Sequence, residues 1–323
     1  MRRLCILLSV AVLAATGCGQ YGATQSPPVL AGSKLPQGWN AEGRLGAVSF
    51  TKLYTFEGSP DGARPYAPLT SFNGTLYGTT SDGGAHRAGT VFTVTPTGAE
   101  AVVHSFTGGA DGANPEGGLF ALAGRLYGTT RGGGAHGLGA VYSVESNGTV
   151  KVIYSFKGGA DDGAEPRGEL TGLVTELWGT TTRGGPKDHG TVFSLFTSGH
   201  EELIYRFKGK PDGAAPVAGL QVRDTSLYGT TSSGGASGMG CVFAIALGGI
   251  EHVVYSFQGG TDGAVPQSQL VLRDGTLYGT TREGGAKQAG TVFEISKDFK
   301  YKMLASFDPQ NGSLPTAGLT LMN

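Results

Sequence analysis

The chain has 323 residues, a length compatible with two ordinary domains or with one large all-β barrel or propeller. Glycine accounts for 58 of them with neither a three-residue period nor the proline excess of collagen, so its task must be turn chemistry. Basic and acidic residues nearly cancel, 24 against 25, which leaves no global field to hold nucleic acid or an anionic surface.

At the N-terminus Arg2 and Arg3 precede an apolar run from Leu4 to Ala15, and small residues follow up to Cys18. This is the order of an export signal, and the run is too short to span a bilayer. Ala15-Thr16-Gly17-Cys18 resembles the lipobox of bacterial lipoproteins, which implies loss of residues 1–17 and lipidation of Cys18. Ala15 stands where that motif most often has Leu, and ordinary signal-peptidase cleavage is the alternative. The expected address is the outer membrane, periplasm or cell surface through the lipid anchor only, or a secreted form. Residues 18–46 are rich in Gly, Pro and polar residues without an apolar period and read as a flexible tether. The folded domain is expected over 47–323. Cys241 is then the one thiol left in it, so no disulfide framework exists. It stands where other copies of a repeat carry Thr90, Ala140, Thr191 and Thr291, which marks it as a small strand residue.

From there on the chain repeats itself about every 50 residues. Leu-Tyr-Gly-Thr-Thr recurs with its Gly at 78, 128, 179, 229 and 279, Trp178 replacing Tyr in the third copy. A Val-aromatic pair follows, from Val91-Phe92 to Val292-Phe293, and a Phe closes a β-prone run at 56, 106, 156, 207, 257 and 307. Each unit holds four short β-prone runs, A to D, as in Gly118–Leu122, Arg125–Thr130, Ala140–Val144 and Val150–Phe156. Asn73-Gly74, Asn147-Gly148 and Asp274-Gly275 lie between runs as hairpin turns. No unit carries an amphipathic helical pattern, which excludes helical solenoids. The unit therefore reads as one four-stranded antiparallel blade of an all-β propeller. Residues 47–56 match a fourth strand and 314–322 a first, so five full repeats plus a partial sixth closed by both termini are expected. Five blades with extra terminal strands are the alternative. The Gly of Leu-Tyr-Gly is expected to mark a bulge or a crowded axis.

LYGTT-x2-GG-x4-G-[TA]-V-[FY], with a Phe-ended strand and Asp-Gly-Ala-x-Pro, resembles the GloVer tandem-repeat family of secreted bacterial proteins over about residues 47–323. The resemblance implies an extracytoplasmic address and no established reaction.

In such a blade the B–C and D–A loops share one rim, and rigid scaffolds place their contacts on loops. The candidate binding face on the B–C loops comprises His86, Arg87, Arg131, His136, Arg183, Lys187, His189, Arg282 and Lys287. Its mixed charge fits a carboxylated or sulfated polysaccharide or a surface protein. The D–A loops carry Asp61, Asp111, Asp162, Asp212 and Asp262, each before a Gly, with Asn311 in the last copy. These read as turn formers, with cation binding the competing reading. His86, His136 and His189 are expected as solvent-facing loop residues rather than one metal site. No metal, cofactor or nucleic-acid motif is present: the G-x-G-x-x-G match at Gly132–Gly137 lacks its helix. The reading is a monomeric, non-catalytic binding or scaffolding propeller. An extracellular polysaccharide-acting enzyme is the alternative, with two of Asp82, Glu116, Glu165, Glu169, Asp188 and Glu283 as acid and base. A quinone-dependent dehydrogenase ranks last, since Trp39 and Trp178 are the only tryptophans.

Overall fold

The computed structural model describes residues 5–8 and 52–322, apart from positions 146, 247 and 311. Cys18, the tether, residues 47–51 and Asn311 lie outside the described residues.

Each repeat folds into one antiparallel sheet with its strands in the order A-B-C-D. The second unit is typical: Phe120–Leu122, Arg125–Thr130, Ala140–Val144 and Val150–Ser155. Equivalent sheets run over 70–105, 171–206, 221–256 and 271–306, so the described residues hold five such sheets. The A–B turn is set locally: Asn73 and Gly74 take φ of 50° and 78°, the pair of positive values that a two-residue hairpin requires. Between C and D every unit shifts register at the Val-aromatic pair, as between Val141 and Tyr142. This bulge adds twist to the outer half of each sheet.

The core lies between successive sheets. Val91 and Phe106 of the first unit, with Leu119, Leu126 and Tyr142 of the second, form one buried cluster, and the same positions repeat around the chain. Its centre is an edge-to-face pair of rings, Phe106 on Tyr142 at 5.1 Å, Phe156 on Phe193 at 5.1 Å, Phe207 on Phe243 at 5.0 Å and Phe257 on Phe293 at 5.2 Å. Here the glycine of Leu-Tyr-Gly finds its role. Gly78 pairs directly with Phe92, and a Cβ on it would stand 2.5 Å from the Phe92 ring. The strand glycine is therefore a seat for the neighbouring ring, which corrects the expectation of a bulge or an axial contact; the bulge sits one strand further out.

The two threonines that follow divide the work. The first reaches the next unit, Thr129 Oγ1 donating to Gly168 O at 3.1 Å and Thr180 Oγ1 to Ala218 O at 2.8 Å. The second pairs within its own sheet, as Thr181 with Thr191 at 2.7 Å and Thr231 Oγ1 with Cys241 Sγ at 3.1 Å. Cys241 is buried and its thiol is pushed up to about 12 by desolvation, in keeping with a structural strand residue.

Both ends of the described repeat region carry further pieces of the unit. Phe56 packs on Phe92 at 4.8 Å, in the position of the other ring pairs, although residues 52–56 form no ladder. Leu319–Met322 takes the place of a first strand and pairs antiparallel with Cys5–Leu8. Packing around these pieces is thin. Leu69 is 44 % exposed where its equivalent Leu119 is fully buried, and Phe307 is only half-buried.

Two irregular positions in the second unit can be checked by stability measurements. Tyr142 replaces the Phe of the other copies, and its buried hydroxyl has no partner. Thr130 has lost its partner because Ala140 stands where other copies have Thr or Cys. Tyr142→Phe and Ala140→Thr should each raise stability by about 1 kcal/mol in chemical denaturation, since an unsatisfied buried polar atom costs roughly 1–3 kcal/mol.

Candidate functional site: the axial cavity

The site is built by the D–A loop, Asp-Gly-Ala-x-Pro. Its Asp carboxylate closes the loop by accepting backbone N–H groups. Asp212 takes those of Lys208 at 2.8 Å and Gly213 at 2.6 Å, and Asp162 those of Lys157 at 2.7 Å and Gly163 at 2.6 Å. The aromatic residue at the end of strand D adds a bond, as Tyr154 Oη to Asp162 Oδ2 at 2.9 Å. The acidic column is thus turn chemistry, with its oxygens occupied by protein donors. Among the described residues no group of three or more His, Cys, Asp or Glu has the geometry to hold a metal ion.

The loop's Gly-Ala then pairs with the B–C loop of its own unit, Gly163 with Gly184 and Ala164 with Arg183. The next residue, x, is left-handed in all six copies, although none is Gly: Arg64, Asn114, Glu165, Ala215, Val265 and Leu314 have φ of 52–58°. Two hydrogen bonds hold it there. The N–H of Glu165 reaches Leu138 O of the preceding unit at 2.9 Å, and its C=O accepts from Thr182 N of its own unit at 3.1 Å. The following proline packs on the preceding unit, where a Cβ on Gly139 would stand 2.6 Å from Pro166 Cδ. This clamp carries the chain from the rim to the axis.

Six such segments, 64–68, 114–118, 167–169, 217–221, 267–271 and 316–320, contribute to the lining of one central cavity of about 810 Å³. Its two halves differ in chemistry. The first three units supply Arg64, Asp82, Glu116, Arg131, Arg167 and Glu169; across from them stand Val217, Gln267, Gln269 and Thr316. The charged half is a network. Arg131 reaches Glu116 at 3.6 Å and Glu165 at 3.2 Å, and Arg167 reaches the same two at 3.3 and 3.6 Å. Arg183 extends it from Glu165 to Asp188, its Nε donating at 2.9 Å, while Arg64 pairs with Asp82 at 3.2 Å. Glu169 stands apart: it has no charged neighbour to offset desolvation, which pushes its carboxyl up to about 7.

The structure divides the residues expected from the sequence. Arg131 lines the cavity and Arg183 shares its network, whereas Arg282 pairs with Glu283 at 3.1 Å elsewhere on the rim. His86, Arg87, His136, Lys187 and Lys287 are exposed at loop tips outside the cavity wall. His189 is half-buried with its ring against Gly209, two places along the loop from the position of His86 and His136. Of the six carboxylates, Asp82, Glu116 and Glu169 face the cavity, Glu165 belongs to its network, and Asp188 and Glu283 lie outside the wall. Sequence reasoning missed Arg64, Asn114, Arg167, Gln267 and Gln269. The clue was available: the residues flanking the Pro of Asp-Gly-Ala-x-Pro change chemistry from copy to copy while the motif around them does not.

With the geometry in hand, the class is clear: a propeller-like all-β protein of repeated four-stranded antiparallel sheets, similar to solved β-propellers. These include a gluconolactonase from Xanthomonas campestris, at 17 % identity over 80 % of this chain and 86 % of that one, TM-score 0.43. A candidate 6-phosphogluconolactonase from Bacteroides uniformis aligns at 14 % identity over 75 % and 71 %, TM-score 0.50. A periplasmic gluconolactonase from Pseudomonas aeruginosa aligns at 15 % identity over 70 % and 64 %, TM-score 0.45. Identities this low speak for the fold alone. The chain belongs to the Gloeobacter/Verrucomicrobia repeat family, which matches residues 32–210 and 124–323. No curated protein is detectably similar to it.

On the outer side of the D–A loops lies a set of carboxyl pairs with a pH consequence. Tyr154 Oη is 2.9 Å from Asp162 and 3.3 Å from Glu201, and Tyr205 Oη is 3.0 Å from Asp212 and 3.4 Å from Glu251. One hydroxyl proton cannot serve both carboxylates. Desolvation first, and the neighbouring Asp second, push Glu201 and Glu251 each up to about 7. A folded-state value above the unfolded one means stability that is complete below the ordinary carboxyl range and lost as pH rises through about 7. Thermal unfolding should therefore occur at a lower temperature at about pH 8 than at about pH 5. Glu201→Gln with Glu251→Gln should flatten that slope; an unchanged slope would disprove the assignment.

Proposed function

We propose that this protein is a non-catalytic binding or scaffolding propeller of the cell envelope whose contact site is the axial cavity rather than the loop tips. One observation carries this reading. The repeat holds its aromatic, threonine and glycine columns nearly constant, and departs from them at the residue after the proline, which lines the cavity in every copy: Tyr66, Glu116, Arg167, then Val217, Gln267 and Thr316; Arg64 and Asn114 before the proline line it too. A ligand that fits one wall of a near-symmetric ring is recognised by such departures. The expected ligand is a polysaccharide or a surface protein. Six sectors around one cavity, with the sixth formed by the two ends of the domain, is the blade count that this lining supports.

Polysaccharide fractions from bacterial envelopes, immobilised and probed with the full chain, test the location of the site. Arg131→Ala with Arg167→Ala should weaken binding about ten-fold or more, and substitution of His86, Arg87, Lys187 and Lys287 by Ala should leave it unchanged. The reverse pattern moves the site to the rim.

A second reading, an extracellular polysaccharide hydrolase or lyase, is favoured by Glu169. A carboxyl with a value of about 7 in one cavity with Asp82 and Glu116 resembles the division between acid and base that glycoside cleavage needs. Release of reducing ends that Glu169→Gln abolishes, while binding persists, would establish it.

The address follows from the leader: export, lipidation at Cys18 and a tether that holds the ring off the membrane. The full chain expressed in a bacterium should sediment with membranes and Cys18→Ala should not. Equal partition of the two would remove the anchor.

A further inference from the structure

The charge balance of the axial wall narrows the chemistry of what it holds. We infer that the cavity is a site for a neutral, hydroxyl-rich ligand, the end of an uncharged saccharide chain, rather than for a carboxylated or sulfated one. This rests on the axial-site reading above. The cavity's arginines are already committed, Arg64 to Asp82 and Arg131 and Arg167 to Glu116 and Glu165. A polyanion would have to displace those carboxylates, and a polycation would have to displace the arginines. A hydroxyl donates one hydrogen bond and accepts two, so it joins an arginine–carboxylate pair without breaking it.

Two further features point the same way. On the facing wall Gln269 and Gln221 each spend an amide N–H on backbone, to Leu220 O at 3.0 Å and Val222 O at 2.9 Å. Each keeps its carbonyl oxygen and one N–H, a pair suited to a hydroxyl that both donates and accepts. Val217 and Ala218 beside them give an apolar patch for the C–H face of a sugar ring, and Tyr66 stands 42 % exposed at the wall. The volume, about 810 Å³, lies in the range of small-ligand sites, roughly 300–1,000 Å³.

The test is calorimetric titration of the full chain at neutral pH with cello-, xylo-, malto- and laminari-hexaose, and with heparin and polygalacturonate as anionic probes. At least one neutral hexaose should bind saturably, with little change on adding salt. Val217→Trp fills the cavity without touching the charged network, and the equivalent position already accommodates Tyr66. It should weaken binding about ten-fold or more at unchanged melting temperature. Thr316→Trp, from the exposed far wall, serves if that variant does not fold. Stronger binding of heparin or polygalacturonate that Val217→Trp abolishes would overturn the ligand class and keep the axial site. Saccharide binding that survives both tryptophans would overturn the axial site itself. Failure of every neutral hexaose to bind overturns this inference.

Discussion

The structure depends on a left-handed residue that is not glycine. At the x of Asp-Gly-Ala-x-Pro the backbone is held at positive φ by one hydrogen bond to the preceding unit and one to its own, with the proline wedged against a glycine of that preceding unit. A β-branched or long side chain in this region costs roughly 1–3 kcal/mol. That cost is offset because both backbone groups are satisfied and two sheets are locked at a fixed angle. Without this clamp the sheets would still form, since their ladders are local. Only the ring pairs and threonine bonds between units would then be left to set how they meet.

Because the clamp is made by backbone atoms, it leaves the side chain of x unconstrained. The same holds for the residue after the proline. A repeat that must keep its ring seats, threonine pairs and turn carboxylates therefore has free choice of chemistry where six segments converge. The first three units use that choice for an arginine–carboxylate network and the remainder for amides and short apolar groups. The fixed packing of successive sheets and the individuality of the cavity come from one loop geometry.

Much of the fold was legible in the chain. The 50-residue period, the four strands, the hairpin dipeptides and the Asp-Gly turns are decided by contacts within a few residues, and each appears where the pattern placed it. The candidate site was legible only in part. Arg131 and Glu116 were singled out and do face the cavity, but so were the loop-tip residues His86, His136 and Lys287, which do not. Exposure on a loop was the criterion, and it does not distinguish the tip of a B–C loop from its base.

The sequence by itself determined the unit: which residues are strands, which are turns, and which positions recur. Only the tertiary structure decided that Gly78 is a ring seat, that Arg131 and Arg183 share Glu165 while Arg282 does not, and that the flanks of a proline in six loops face one another. The reason is physical. Turn and ladder chemistry acts over a few residues, whereas convergence on an axis is the accumulated twist and spacing of every sheet between the first loop and the last.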